Sequence, residues 1–521
     1  MHLIQTFMNI AVPPIVLILL ILFLPIYQVF KLIIFIKRSI CSENVAGKVV
    51  LITGAASGIG EQLTYEYAGR GALLALVDIN ENCLVQVSNK AHSIGSPDSI
   101  SIVADVSKVE DCERFINEAV KHFGRLDHLV NNAGTARFSK FEDTSQISDH
   151  HPVMDINFWG TVNGIHYAIP HLKKSKGKIV VISSVCGWYP LPTLSIYNAS
   201  KAALISFCET LRTELGPSIG ITIVKPGLIK TNLTKSQDTL IPVIPEESAE
   251  VCAKAIVSGA CRGDLYVTEP AWIRWLFPVK MACPEQLAYE YARRGAHLVL
   301  VDINEESVVQ VSNKARSLGS PDSIPIAADV SKVEDCERFI NEAVEHFGRL
   351  DHLVNNAGTA RVIKFEDINQ LSDHRHVMDT NFWGTVNGIH FAIPHLKKSG
   401  GKIVVISSVC GWYPLPALSI YNVRTKNITN GRIYMSTSNS YFESSNKPPS
   451  SNCFFYKASK AALISFCETL RTELGSAIGI TIFTPGLIKT TMTKKQNIFR
   501  SLVPEGSAEG CAKAIVSAAC R

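Results

Sequence analysis

Apolar positions along this chain fall into two regimes. The first is N-terminal: from residue 1 to Phe30 there is no Lys, Arg, Asp or Glu, Val12 to Ile26 is almost wholly apolar, and Lys31 to Arg38 adds a second apolar run with basic ends. A core helix of a water-soluble domain carries a polar face, and none is present here. A cleaved signal peptide has basic residues ahead of its apolar run and small residues after it, and both are missing. Residues 1–40 therefore read as a membrane anchor. The lysine and arginine bias keeps the rest of the chain on the cytosolic side. Pro13, Pro14 and Pro25 remove backbone donors near both ends of the run. A spanning helix and a hairpin seated in one leaflet, or in the monolayer of an oil droplet, fit this pattern equally well.

In the second regime short apolar runs alternate with segments whose apolar residues recur at helical spacing. Strands are expected within 47–54, at Ala72–Val77, Ser101–Val103, Leu126–Val130, Lys178–Ile182 and Ile221–Val224. Helices are expected over Glu61–Arg70, Val109–Phe123, roughly His151 to Leu172, and from Tyr197 to Leu215. Such alternation predicts an α/β fold, with a parallel sheet flanked by helices on both faces.

Two stretches carry chemistry. Thr53 to Gly60 is rich in glycine and stands between a strand and a helix, where the backbone can approach a pyrophosphate and the helix N-terminus offers free N–H groups. Gly54, Ser57, Gly58, Ile59 and Gly60 are the candidate phosphate contacts. Asp78, at the end of the second strand, can take both hydroxyls of an adenosine ribose and repel a 2′-phosphate; it can equally serve as a turn or capping residue. The second stretch runs from Ser184, at a strand end, to Tyr197 and Lys201 on one face of the next helix. A cation beside a phenol favours the phenolate, which fits Tyr197 for acid/base work near neutral pH, with Ser184 holding a substrate oxygen. A bare Tyr-x-x-x-Lys occurs by chance on many helices, so the rest of the chain decides.

Composition narrows the classes. The 521 residues are 46% apolar and 19% charged, and the net charge of +5 never gathers into a basic block, which argues against nucleic acid as a partner. The 14 cysteines occur singly with no Cys-x-x-Cys pair. That argues against zinc or another bound metal and against a disulfide framework, and fits reduced thiols.

The Thr53–Gly60 loop, Asn131 to Gly134, Asn157, Ser184, Tyr197 with Lys201, and Pro226 to Thr231 together resemble the short-chain dehydrogenase/reductase family. With the proline-containing apolar N-terminus and the segment from Cys261 to Tyr266, residues 1–283 are similar to plant steroleosins, the 11-beta-hydroxysteroid dehydrogenase-like enzymes of lipid droplets and endoplasmic reticulum. The resemblance implies a doubly wound, Rossmann-type sheet. It implies Tyr197 as acid/base with Lys201 lowering its pKa and holding the nicotinamide ribose, Ser184 on the substrate oxygen, and Asn157 organising a proton-relay water. The implied cofactor contacts also include Asp105, Val106, Asn131, Ala133, Gly134, Pro226, Gly227 and Thr231. Many droplet enzymes of the group carry arginine near Asp78, Ile79 and Asn80 and favour NADP; Asp78 points instead to NAD, with NADP possible. Apolar loops on either side of Tyr197, including Trp188 to Pro192 and Leu228 to Val243, suit a lipophilic, steroid-like alcohol or ketone, and equally suit ordinary packing or membrane contact.

From Glu285 the chain repeats itself from Glu61 nearly residue for residue, so that Asp302, Asn355, Asn381, Ser408 and Tyr421 match Asp78, Asn131, Asn157, Ser184 and Tyr197. A period this long marks a duplicated domain. Trp272–Pro284 stands where Lys48–Gly60 should be and contains no glycine, so the copy lacks the phosphate cradle and the central first strand. An insert at about 422–457, rich in Ser, Asn and Thr, interrupts the catalytic helix and is expected to be disordered. It ends by restoring the spacing with Tyr456 and Lys460. The expected organisation is an anchor over 1–40, a complete domain over 41–283 and a truncated copy over 284–521. That copy either docks on the first as a pseudo-dimer partner, the alternative to a homodimer, or records the joining of two neighbouring genes. The expected function is hydride transfer between a nicotinamide cofactor and a lipophilic alcohol or ketone, at the lipid-droplet or endoplasmic-reticulum surface. The rivals are a structural droplet coat protein with a vestigial enzyme domain and a soluble enzyme with an apolar tail.

Overall fold

The computed structural model describes residues 38, 42–231, 246–270, 295–317, 319–359, 365–408, 411 and 454–484. The expected anchor lies outside the described residues apart from Arg38, as do Tyr421, Trp272–Pro284 and most of the expected insert. Among the described residues no helix is long and apolar enough to cross a membrane.

The N-terminal repeat begins with β1 (Val49–Thr53), all five residues of which are buried, as expected of a central strand covered on both faces. Then come α1 (Gly58–Gly69), β2 (Leu73–Asp78), α2 (Glu81–Ile94), β3 (Ser99–Val103), α3 (Val109–Phe123) and β4 (His128–Asn131). Helix α4 changes pitch along its length: α-helical over His151–Met154, a π turn over Asp155–Trp159, and α-helical again over Gly160–Ser175. The repeat continues with β5 (Lys178–Ile182), α5 (Ser195–Leu215), β6 (Gly220–Pro226), the short pair β7 (Ile229–Lys230) and β8 (Glu247–Ser248), α6 (Ala249–Arg262) and β9 (Tyr266–Glu269). Seven strands form one parallel sheet in the order β3-β2-β1-β4-β5-β6-β9. Alternate residues of β1 face opposite layers. Val49 and Leu51 join the layer containing Phe115, Phe158 and Phe207, while Val50 and Ile52 join the layer containing Leu63, Leu84 and Ile256. Strand order reverses where β1 lies between β2 and β4, which opens a crevice at the carboxyl ends of the strands.

Helices α2 and α6 and strand β9 go beyond the elements expected above. Helix α2 is capped by Asn80, whose side chain accepts a hydrogen bond from Cys83 N (3.1 Å). Strand β9 carries only two apolar residues and is recognisable by its pairing with β6 rather than by its own pattern.

The C-terminal repeat contains β10 (Leu298–Asp302), α7 (Glu305–Ser317), β11 (Ser323–Ala327), α8 (Val333–Phe347) and β12 (His352–Asn355). It continues with α9 (Arg375–Met378, a π turn over Asp379–Trp383, then Gly384–Ser399), β13 (Lys402–Ile406), α10 (Phe454–Leu474) and β14 (Gly479–Phe483). Its strands form two separate parallel sheets, β10-β11 and β12-β13-β14. Among the described residues no strand bridges β10 and β12, the place that β1 takes in the first repeat. One expectation is corrected here. The last residues of the supposed disordered insert, Phe454 to Lys457, form the first turn of α10. Phe455 explains why: its ring is buried, stacked on Phe207 and His374 and tilted against Trp159.

Helices α5 and α10 pack against each other, so one apolar cluster runs through both repeats. The contacts come in reciprocal pairs. Phe141 meets Phe466 edge-on at 5.0 Å, and Phe207 meets Phe365 at 5.2 Å. Phe141 N donates to Glu473 Oε2 (2.8 Å), and Phe365 N donates to Glu214 Oε1 (2.9 Å). The junction thus has an approximate internal two-fold axis.

Candidate active site

A cavity of about 510 Å³ opens at the carboxyl ends of β1, β2, β4 and β5. Its floor is the glycine loop. A Cβ on Gly60 would lie 1.9 Å from Gly54 O and one on Gly54 2.8 Å from Ala133 Cα, so these positions admit only glycine at this backbone separation. Gly58 is left-handed (φ +58°), and a Cβ there would press on the Thr231 methyl at 3.3 Å. Asn132 fixes the loop to the neighbouring strand, its Nδ2 donating to Thr53 O and Gly54 O at 3.0 Å each. Thr53 Oγ1 accepts from Asn132 N (3.1 Å) and Ala133 N (3.2 Å). Sequence reasoning named neither Thr53 nor Asn132 as a site residue; the available signal was a pair of asparagines closing an apolar strand.

Asp78 lines the cavity beside this loop. Its Oδ2 accepts from Ala56 N and its Oδ1 from Asn80 N, both at 3.0 Å, so it braces the loop and its own turn while facing the crevice. Gly54, Ser57, Gly58, Ile59, Asp105, Val106, Ala133, Gly134, Pro226, Gly227 and Thr231 line the same cavity, as do Ser184, Tyr197 and Lys201 on the opposite wall. Three expected residues do not. Gly60 lies behind the loop, where its missing side chain permits the close approach. Asn131 is buried under α4, its Oδ1 at 3.1 Å from where a Gly164 Cβ would be. Asn157 is fully buried behind the cavity wall.

Asn157 belongs to the π turn of α4, and its amide is fully engaged. Oδ1 accepts from Thr135 N (2.8 Å), while Nδ2 donates to Thr135 O (2.9 Å) and Ser200 Oγ (3.0 Å). Ser200 Oγ in turn donates to Tyr197 O (2.7 Å). The side chain thus joins three segments around the site rather than facing its space. Gly134 lies where the groups converge: a Cβ there would be 3.2 Å from Asn157 Oδ1 and 3.4 Å from Lys201 Nζ.

Lys201 Nζ donates to Ile182 O (3.0 Å) and lies 5.6 Å from the centre of the Tyr197 ring. Ser184 Oγ accepts from Cys186 N (3.1 Å), and Ser183 Oγ donates to Lys201 O (2.8 Å), which ties β5 to α5. Burial pushes Lys201 down to about 8. Burial also raises the Tyr197 phenol above its ordinary value; a hydrogen bond with Ser184 works in the opposite direction but does not prevail. The net shift is upward, opposite in direction to the lowering expected from Lys201, because desolvation is its largest cause.

The C-terminal repeat reproduces part of this wall. Lys460 Nζ donates to Ile406 O (3.0 Å) and stands 5.7 Å from the Tyr456 ring centre. Asn381 brackets Thr359 and donates to Ser459 Oγ (2.9 Å). Tyr456, however, is only 1% exposed, where Tyr197 is half-buried. The counterpart of the glycine loop lies outside the described residues.

A glycine cradle facing a Ser, Tyr and Lys wall at a strand-order reversal defines a dinucleotide-dependent dehydrogenase of the parallel α/β class. The short chain dehydrogenase family model matches residues 48–240, 284–426 and 429–500. The chain belongs to that family and is an NAD(P)-dependent short-chain dehydrogenase. It is 51% identical over 292 residues to 11-beta-hydroxysteroid dehydrogenase-like 3 of Arabidopsis thaliana, covering 56% of this chain and 94% of the relative. It is 52% identical over 285 residues to 11-beta-hydroxysteroid dehydrogenase-like 4A of the same plant, covering 54% and 95%. With 11-beta-hydroxysteroid dehydrogenase A of Arachis hypogaea it shares 49% identity over 306 residues, covering 56% and 88%.

Proposed function

We propose that this protein interconverts the alcohol and ketone forms of a lipophilic, hydroxysteroid-like substrate at the cavity of its N-terminal repeat. The observation that carries the reading is the placement of Ser184, Tyr197 and Lys201 on the wall opposite the glycine cradle. Gly54, Ser57, Gly58 and Ile59 would hold the pyrophosphate of a nicotinamide dinucleotide, Asp78 its adenosine ribose, and Thr231 the far side of the cleft. That cofactor supplies the hydride acceptor or donor. Ser184 Oγ positions the substrate oxygen. Tyr197 Oη gives its proton to that oxygen during ketone reduction and takes it back during alcohol oxidation. Lys201, held by Ile182 O, places a positive charge beside the site and favours the phenolate as it forms. Asn157 keeps Thr135 and Ser200 in place beneath Tyr197. The carboxylate of Asp78 favours NAD, because a 2′-phosphate would meet its charge.

The proposed organisation is an anchor over 1–40, the catalytic domain over 41–283, and a truncated copy over 284–521 serving as a built-in partner. The apolar N-terminus is the basis for placing the protein on endoplasmic reticulum or lipid droplets, with the catalytic part facing the cytosol. The test is turnover of full-length, detergent-solubilised protein with a hydroxysteroid panel, NAD+ against NADP+. Activity faster with NAD+ supports the reading. A folded, membrane-bound protein that turns over no panel member would favour the structural coat reading instead.

A further inference from the structure

Two loops connect the cavity wall to the rest of the molecule. Residues 136–141 follow Thr135, and residues 185–194 join Ser184 to the helix carrying Tyr197. The loops are linked where Ser139 N donates to Thr193 O (3.0 Å), and Thr193 is a non-glycine residue in the left-handed region (φ +65°). Such a conformation persists when its surroundings enforce it. Part of that enforcement comes from the other repeat. The Glu473 carboxylate, on the last turn of α10, accepts from Thr193 N through Oε1 and from Phe141 N through Oε2, both at 2.8 Å. One turn earlier, Thr469 Oγ1 accepts from Asn198 Nδ2 (2.8 Å), which also donates to Leu191 O (2.8 Å). A single helix face of the C-terminal repeat therefore holds the N-terminal repeat at three points, Phe141, Thr193 and Asn198, the last of which also holds Leu191.

We propose that Glu473, assisted by Thr469, is a positioning residue for the substrate side of the N-terminal site, which gives the catalytically incomplete repeat a task in its neighbour's chemistry. The proposal rests on the function assigned above only for its kinetic consequence. Both amides bound by Glu473 lie in the loops, and none of its bonds reaches the glycine cradle, so the clamp acts on substrate binding and leaves the cofactor site alone. A carboxylate accepting two N–H groups is strongly placed to do this.

The test uses the full chain with Glu473→Ala, Glu473→Gln and Thr469→Val. Hydrogen exchange is read on peptides covering 137–143 and 190–196, together with NAD+ binding and the KM and kcat of the best hydroxysteroid. In Glu473→Ala, exchange in both peptides accelerates about tenfold or more and KM rises about tenfold, the scale of one lost charge-assisted hydrogen bond. The NAD+ dissociation constant stays within about twofold and kcat falls less than KM rises. Glu473→Gln, which keeps one acceptor oxygen, is intermediate. Thr469→Val loosens the 190–196 peptide alone, and it carries the test if Glu473→Ala does not fold. Unchanged exchange in both peptides, or a loss of protection spread evenly over the two repeats, overturns the clamp. If the wild-type chain turns over no steroid, the exchange result still judges the clamp, and only the functional reading fails.

Discussion

Lys201 is an ammonium group enclosed by the wall it helps to build, and its lowered pKa of about 8 has a consequence for stability. Between about pH 8 and the ordinary lysine value of 10.5 the unfolded chain keeps this proton while the folded chain has released it. Stability contributed by this group therefore rises with pH across that window, and its burial cost is fully present below pH 8, at about 3 kcal/mol. Lys201→Met accordingly stabilises the protein most at pH 7, and the gain shrinks toward pH 10.5; urea unfolding of both proteins at pH 7, 9 and 10 measures it. A gain that is constant or grows with pH contradicts the assignment. Asp78 offers a second residue-scale prediction. Asp78→Ala lowers kcat/KM with NAD+ about tenfold and raises the relative use of NADP+, as removal of one ribose contact and one negative charge requires. Equal losses with both cofactors would show that Asp78 only braces Ala56 and Asn80. Asp78, Ser184, Tyr197 and Lys201 were legible in the sequence because each stands at a strand end or a fixed helical spacing. The direction of the Tyr197 shift was not, because it depends on how much water the fold excludes.

At the scale of elements, the glycine loop and the π turn decide the shape of the site. Gly60 faces Gly54 O so closely that Gly60→Ala must push the first turn of α1 off the loop. The expected result is a destabilisation of about 1–3 kcal/mol. With it goes at least a tenfold weaker NAD+ affinity, read by calorimetry. Native affinity in the alanine variant would mean that the loop is not the cradle. Apart from α2, the alternation of strands and helices from β1 to β6 followed from the hydrophobic pattern. What did not follow was the element whose signal is tertiary: β9 with its two apolar residues, seated on β6. Asn157 shows the same limit. A polar residue in mid-helix announced a purpose, but its bracketing of Thr135 and Ser200 depends on a loop and a helix far from it in sequence.

At the scale of the molecule, the two repeats share one apolar cluster and a junction whose contacts occur in reciprocal pairs. Phe466 lies at its centre, fully buried and edge-on to both Phe141 and Phe382. Phe466→Ala is expected to cost about 3–5 kcal/mol. Because the cavity it leaves touches both repeats, the whole unfolding curve should shift. Two transitions, of which only the later repeat's moves, would show that the repeats fold independently. The similarity of the stretch from Glu285 to the stretch from Glu61 was plain from the sequence, whereas the start of α10 at Phe454 was not, since the polar run before it disguised a turn held by Phe455 against Trp159 and Phe207. The central claim is that chemistry occurs in the N-terminal repeat alone, although Tyr456 and Lys460 reproduce the spacing of Tyr197 and Lys201. The most direct test is NAD+-linked steroid turnover by the full chain, compared with Tyr197→Phe and Tyr456→Phe. Tyr197→Phe should lower kcat by about 10²–10⁴ while NAD+ binding persists, and Tyr456→Phe should retain most of it. Turnover that survives Tyr197→Phe and is lost in Tyr456→Phe would place the active site in the other repeat.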